Sequence, residues 1–194
     1  QLQKEFWSIM ENNSPIGVFF FCLGGFTVFS QLKKLLPNEN FIYFADNKNN
    51  PFGDKSVSQI LNINDRIISY FLEHQVKMVV VACNTSSSLA IDHDRTNYDV
   101  PFVDMLHDGL CFAKDILENK RIGIIATQAT VNSESYLKIL AEYNPKLKVF
   151  QQATPELVPL IEENNFDGIK AVLPKYLDPY EIMDYLLYGC SHYP

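Results

Sequence analysis

Cysteine is scarce in this chain: four residues in 194, Cys22, Cys83, Cys111 and Cys190, none close enough to another to form a CxxC pair. That spacing excludes the dense disulfide framework of a small secreted module and the paired thiols of a structural zinc site, and leaves reduced, separate thiols. Basic clusters are missing too. With 16 basic against 23 acidic side chains, the formal net charge is −7 and the pI about 5.0, which argues against a nucleic-acid surface. No stretch approaches the roughly 20 apolar residues of a membrane-spanning helix, and residues 1–15 lack the basic start and apolar middle of a signal peptide. A cytoplasmic protein acting on a small molecule is expected. Gly24-Gly25 follows an apolar run, but the GxGxxG spacing is absent and no acidic residue closes the next strand, so no nucleotide, and no cofactor of any kind, is expected.

Short apolar runs recur along the chain, at Ile16–Phe21, Phe41–Ala45, Lys77–Ala82, Pro101–Asp104, Arg121–Ala126, Leu147–Gln151 and Tyr185–Gly189. Runs of this length, rich in β-branched and aromatic residues, suit strands buried on both faces. Between them lie helical patterns at Phe26–Leu36, Val57–His74, Ser86–Asp94, Leu106–Glu118, Asn132–Tyr143 and Pro155–Glu163. Strand and helix alternate, which predicts an α/β fold with mainly parallel strands. The pattern restarts after Asn97–Pro101, so two similar halves are expected, 1–100 and 101–194, with the site in the cleft between them. The chain stops at His192-Tyr193-Pro194, directly after a strand-end motif, and it is expected to be truncated or partly represented.

Both halves deliver a thiol at a strand end. Val79–Val81 runs into Ala82-Cys83-Asn84-Thr85, and Tyr185–Tyr188 runs into Gly189-Cys190-Ser191-His192. Two thiols facing each other across a pocket could take a proton from one face of a carbon and return one to the other, inverting a stereocentre. Cys83 precedes hydroxyl and amide side chains at a helix start, which suits a thiolate or a carboxylate substrate; a buried cysteine followed by capping residues fits the same letters. His192, two residues beyond Cys190, would relay the thiol proton. Thr127 and Thr130 stand at another helix start, an anion site by position. The turn-rich loop Asn38–Gly53, which ends in Pro51, Phe52 and Gly53, could close its backbone over a carboxylate or remain a solvated loop. His74, His93, His107, Cys22 and Cys111 read as structural, and no metal site is expected.

In their order these motifs resemble glutamate racemase, of the cofactor-independent aspartate/glutamate racemase superfamily. The resemblance rests on Ile16–Phe19 with Gly24–Val28, Leu36-Pro37-Asn38 through Pro51–Ser56, Ala82–Thr85, Ile122–Thr127 with Thr130, Val158–Glu162, and Gly189–Pro194. It implies two α/β domains related by a pseudo-twofold axis, with glutamate between them, and D-glutamate supply for peptidoglycan. Cys83 would deprotonate D-glutamate and Cys190 L-glutamate, with His192 and Glu162 assisting Cys190. Asn84, Thr85, Thr127, Thr130 and Ser191, with backbone from Pro51, Phe52 and Gly53, would hold the substrate. A homodimer is the assembly left open. In the family a C-terminal continuation completes the first domain.

The chain departs from the family pattern at the first glycine loop. The aspartate expected to assist the first cysteine falls on Phe20, a substrate-binding serine on Phe21, and a turn glycine on Cys22. Losing a general acid/base helper costs about 10²–10⁴-fold in rate. Two rival expectations follow: a silent binding or regulatory protein that keeps the cleft, and a racemase for another acidic amino acid such as aspartate.

Overall fold

The protein is described from a computed structural model, which describes residues 13–20, 24–49, 52–111, 120–178 and 182–194. The expectations for Phe21, Cys22, Pro51, residues 1–12 and the part of the Leu106–Glu118 helix beyond Cys111 lie outside the described residues.

Two parallel sheets form the frame. The first contains β1 (Ile16–Phe20), β2 (Phe41–Ala45), β3 (Met78–Val81) and β4 (Phe102–Asp104), in the order β2-β1-β3-β4. The second contains β5 (Arg121–Ala126), β6 (Lys148–Ala153) and β7 (Tyr185–Gly189), in the order β6-β5-β7. In each sheet a central strand is buried, β1 along its length and β5 from Ile122 onward, and the edges are less so. Every residue of β1 and β3 is buried, whereas β2 is half-buried and β7 leaves Tyr188 53% exposed. The expectation of strands buried on both faces therefore holds for the central strands only, because an edge strand has one neighbour.

Apolar spacing in α2 (Val57–Glu73) puts Ile60, Ile63, Ile67, Ile68 and Phe71 on one buried face. Its start is fixed by a capping box: Ser56 Oγ accepts from Gln59 N while Gln59 Oε1 accepts from Ser56 N at 2.9 Å. Phe71 lies against β1 at Gly17, where any Cβ would come within 2.9 Å of the ring. A phenylalanine buried this fully contributes about 1.5–3 kcal/mol, so this contact anchors α2 to the sheet. In the second half, α7 (Ser135–Tyr143) packs Tyr136, Ile139 and Leu140 on Ile122 and Ile124 of β5.

The remaining described helices are α1 (Gly25–Leu35), α3 (Asn84–Leu89), α4 (Ile91–Asn97), α5 (His107–Cys111), α6 (Gln128–Ser133), α8 (Leu157–Glu162) and α9 (Phe166–Leu177). Two expected helices are broken. Ser86–Asp94 divides at Ala90 (φ −125°), and Asn132–Tyr143 gains a preceding turn and a break at Glu134, whose φ of 57° is left-handed. β4 lies beyond the expected division at 100/101, because its residues pair with Val79–Val81. Asp104 then accepts from the N–H groups of Leu106 (2.6 Å) and His107 (2.8 Å), turning the chain into the second core, which Leu106 and Leu110 join.

Candidate active site

β3 and β7 each end at a cysteine, and the ends of both sheets open on one cavity. The cavity is lined by Phe20, Phe52, Gly53, Cys83, Asn84 and Thr85 from the first half and by Thr127, Thr154, Cys190, Ser191 and His192 from the second. Both sulfurs are buried, Cys83 at 5% and Cys190 at 6% exposure. Burial raises both thiols. Cys190 is pushed up to about 12, first by desolvation and then by the charges of Cys83 and Glu162; Cys83 moves the same way, with hydrogen bonds from Ser86 and Thr85 opposing the shift.

The Cys190 side carries an acid–base chain. Cys190 Sγ lies 3.6 Å from His192 Nδ1, and His192 Nε2 lies 2.6 Å from Glu162 Oε1 at the end of α8. Desolvation lowers the imidazole below its usual range, with the Glu162 bond opposing. The carboxylate accepts from Nε2–H, so Nδ1 keeps its lone pair and faces the thiol. Phe20 covers the other side of this ring, 5.2 Å away between centroids. Gly24 passes so near that a Cβ there would stand 2.8 Å from Nδ1. Ser191 Oγ donates to Ala82 O (2.9 Å), tying the Cys190 loop to the strand end that carries Cys83.

Other expected site residues meet here, several engaged with one another. Thr127 caps α6 by accepting from Thr130 N, and its hydroxyl lies 3.0 Å from those of both Thr130 and Thr85. This hydroxyl cluster joins the two halves. Gly53 O accepts from Ala129 N (3.1 Å), and a Cβ at this position would stand 3.2 Å from Thr127 Cβ. Phe52 is buried in the lining. Asn84 donates through Nδ2 to the Tyr136 hydroxyl (2.8 Å), while its Oδ1 is buried with no hydrogen-bond partner. The sequence reading missed Tyr136, Thr154 and Tyr193; the last two share a 2.5 Å hydroxyl contact. Nothing in their spacing marks them, since each is brought in from a different element.

Comparisons place this geometry among known proteins. A scan against protein-family models finds no match. The chain is 42% identical over 185 residues to glutamate racemase of Trichormus variabilis, covering 93% of this chain and 63% of that protein. It therefore spans less than two thirds of that curated relative's length. It is 39% identical over 183 residues to glutamate racemase of Trichodesmium erythraeum, covering 92% of this chain and 67% of the relative. The crystal structure of a Francisella tularensis glutamate racemase in complex with D-glutamate superposes with a TM-score of 0.85 at 32% identity, over 94% of this chain and 70% of that one. A Bacillus anthracis glutamate racemase isoform gives 0.86 at 31% identity, over 93% and 70%. Among the described residues no helix is long and apolar enough to cross a membrane.

Proposed function

The chain belongs to the glutamate racemase family, and from that premise we propose that it interconverts L- and D-glutamate without a cofactor, using Cys83 and Cys190 as acid and base on opposite faces. The observation that carries the reading is two buried thiols from two separate sheets lining one cavity.

Acting on L-glutamate, the Cys190 thiolate takes the α-proton and the C–H electron pair stays on Cα. That pair then takes the proton of the Cys83 thiol on the other face. The enzyme is left with a Cys190 thiol and a Cys83 thiolate, the form that attacks D-glutamate. Because burial holds both thiols protonated, Cys190 needs an acceptor, and His192 Nδ1 is in position. Glu162 stabilises the imidazolium that forms. An amino-acid α-proton is far less acidic than a thiol, so exact placement and stabilisation of the carbanion-like transition state supply the difference.

Asn84 Oδ1, a buried acceptor lacking a partner, suits the substrate ammonium. The hydroxyls of Thr85, Thr127 and Thr130 would exchange their mutual bonds for a substrate carboxylate, with Ser191 holding the Cys190 loop. Phe52 and Gly53, with Pro51 by resemblance, close the wall of the pocket. We extend the reading to two lobes dividing near Met105, a cytoplasmic location and D-glutamate supply for peptidoglycan. A homodimer is the assembly to test, by light scattering.

Deuterium incorporation at Cα of L- and D-glutamate in D₂O, followed by NMR, tests the proposal. Inversion by this chain and its loss in Cys83→Ser support it; no exchange in a folded sample sinks it. One observation favours a second reading, a silent cleft protein: Phe20, where the family carries the assisting aspartate, is buried against His192. Racemisation gained only in Phe20→Asp would favour that reading. Competition between glutamate and aspartate decides the substrate's chain length.

A further inference from the structure

Outside the lining of the cleft, Asp65 on α2 meets His93 and Asp94 on α4. Each offers a ligand atom, and these atoms all lie within 4.8 Å of one another. Read from the sequence, His93 is structural and no metal is expected; the packing of two helices joins what the chain separates by 28 residues. His93 Nε2 lies 3.0 Å from Asp65 Oδ1, and these side chains are 34% and 38% exposed, open to an ion from solvent.

Asp94 adds a second, separate observation. It is 0% exposed, and its two oxygens differ: Oδ2 accepts from Asn64 Nδ2 (2.7 Å), whereas Oδ1 is buried with no hydrogen-bond partner. Buried polar atoms are nearly always satisfied, so an orphaned carboxylate oxygen asks for a partner the protein does not supply. The neighbouring cation does not supply it either, because Arg95 is turned to Asp104 and Asp108. Since Oδ2 is spent on Asn64, Oδ1 is the oxygen free to act as a ligand.

We propose that Asp65, His93 and Asp94 bind a divalent transition-metal ion of the zinc class, which joins α2 to α4. The inference stands apart from the racemase reading.

The donor set selects the ion. An imidazole suits zinc better than magnesium or calcium, and three protein ligands with one water complete a four-coordinate zinc site. Bonds of 2.0–2.2 Å set tetrahedral ligand atoms about 3.4 Å apart. The His93–Asp65 pair already meets that spacing, and the Asp94 oxygen has at most about 1.4 Å to close.

Each ligand also has an outer partner, as orientation at a metal requires. Asn64 holds Asp94 and is itself held by Ser86 Oγ, which donates to Asn64 Oδ1 (3.2 Å). The Tyr98 hydroxyl donates to Asp65 Oδ1 (2.8 Å). Asn97 Nδ2 lies 3.2 Å from His93 Nδ1. Without metal, His93 Nε2–H donates to Asp65; ligation at Nε2 moves the imidazole proton to Nδ1, and the Asn97 amide turns over to accept it.

The test starts from the full wild-type chain, stripped with EDTA and then given Zn²⁺. Diethyl pyrocarbonate acylates an imidazole through a free ring nitrogen, and ligation removes it. At Zn²⁺ ten times the dissociation constant, acylation of His93, read by peptide mass spectrometry, should slow about tenfold. Unchanged acylation overturns the proposal. Because Cys83, Cys190 and His192 could also take Zn²⁺, a second measurement locates the ion. Isothermal titration of the Cys83→Ser/Cys190→Ser chain should still find one Zn²⁺, and adding Asp65→Asn or His93→Ala should weaken it at least about 100-fold. Loss of all binding with the thiols, or a site that survives both further substitutions, overturns the proposal. If a variant does not fold, His93 protection in the wild type decides alone. Neither readout needs turnover, so this proposal and the racemase reading fail separately.

Discussion

The two sulfurs end equivalent strands, yet their surroundings differ. Cys190 has an imidazole at 3.6 Å backed by a carboxylate. Cys83 stands at the start of α3 with no side-chain capping bond, and the Phe20 position on β1, where the family pattern has a carboxylate, is apolar. A repeated backbone device thus fixes where the thiols stand but not how each exchanges its proton. On the Cys190 side His192, backed by Glu162 from α8, answers that.

Removing either thiol has the largest expected effect. Cys83→Ala and Cys190→Ala should each lower inversion at the upper end of about 10²–10⁴-fold, read by polarimetry; an equal residual rate in wild type and either variant would dissolve the comparison.

Asp94 provides a test through stability. Its folded-state pKa of about 6 lies above the unfolded value of 3.8, so the native state binds more protons between them. Its contribution is fully present below the unfolded value and is lost as pH rises through 6. The loss is at most about 3 kcal/mol. Urea denaturation of Asp94→Asn in EDTA should show a smaller decline than wild type between pH 4 and 7, and parallel curves would mean Asp94 is not titrating there.

On the Cys190 side, Glu162→Gln keeps the shape but withdraws the charge that supports an imidazolium, and turnover should fall about tenfold to 10²-fold. Inversion has an equilibrium constant of one, so kcat/KM must fall alike for both enantiomers. The sidedness would appear in α-proton exchange, with L-glutamate exchange falling more. The smallest effect is a pH profile. Because the Cys190 thiolate with a His192 imidazolium carries the same number of protons as the neutral pair, and both thiols are raised while His192 is lowered, kcat/KM should be level between pH 7 and 8 and fall only at acidic pH, where His192 is already protonated. A climb of about tenfold per unit between pH 7 and 8 would show that the thiolate forms by losing its proton to solvent instead.

The sheets were legible because Val, Ile and Phe runs between turn signals have few alternatives, and β2, β5 and β7 fall where the letters put them. The break at Glu134 was not, since a left-handed residue is expected to be glycine or asparagine. α9 was missed as well. Pro174 inside it argues against a helix, and its start is signalled only by Asn165, which accepts from Gly168 N (2.9 Å). Cys83, Asn84, Cys190 and His192 could be read from the sequence because each half carries its chemistry in consecutive letters at a strand end. The Asn64–Ser86–Asp94 chain could not, since its members lie on three helices and each reads locally as an ordinary helix residue. Nor could the contact of Phe20 with His192, which depends on how the two sheets meet.

The most direct test of two thiols working on opposite faces is α-proton exchange of each glutamate enantiomer in D₂O by the single serine variants. Cys83→Ser should still exchange L-glutamate, without inversion, and leave D-glutamate untouched, with Cys190→Ser doing the reverse. Exchange of both enantiomers by either variant would contradict the account, because one remaining thiol would then serve both faces.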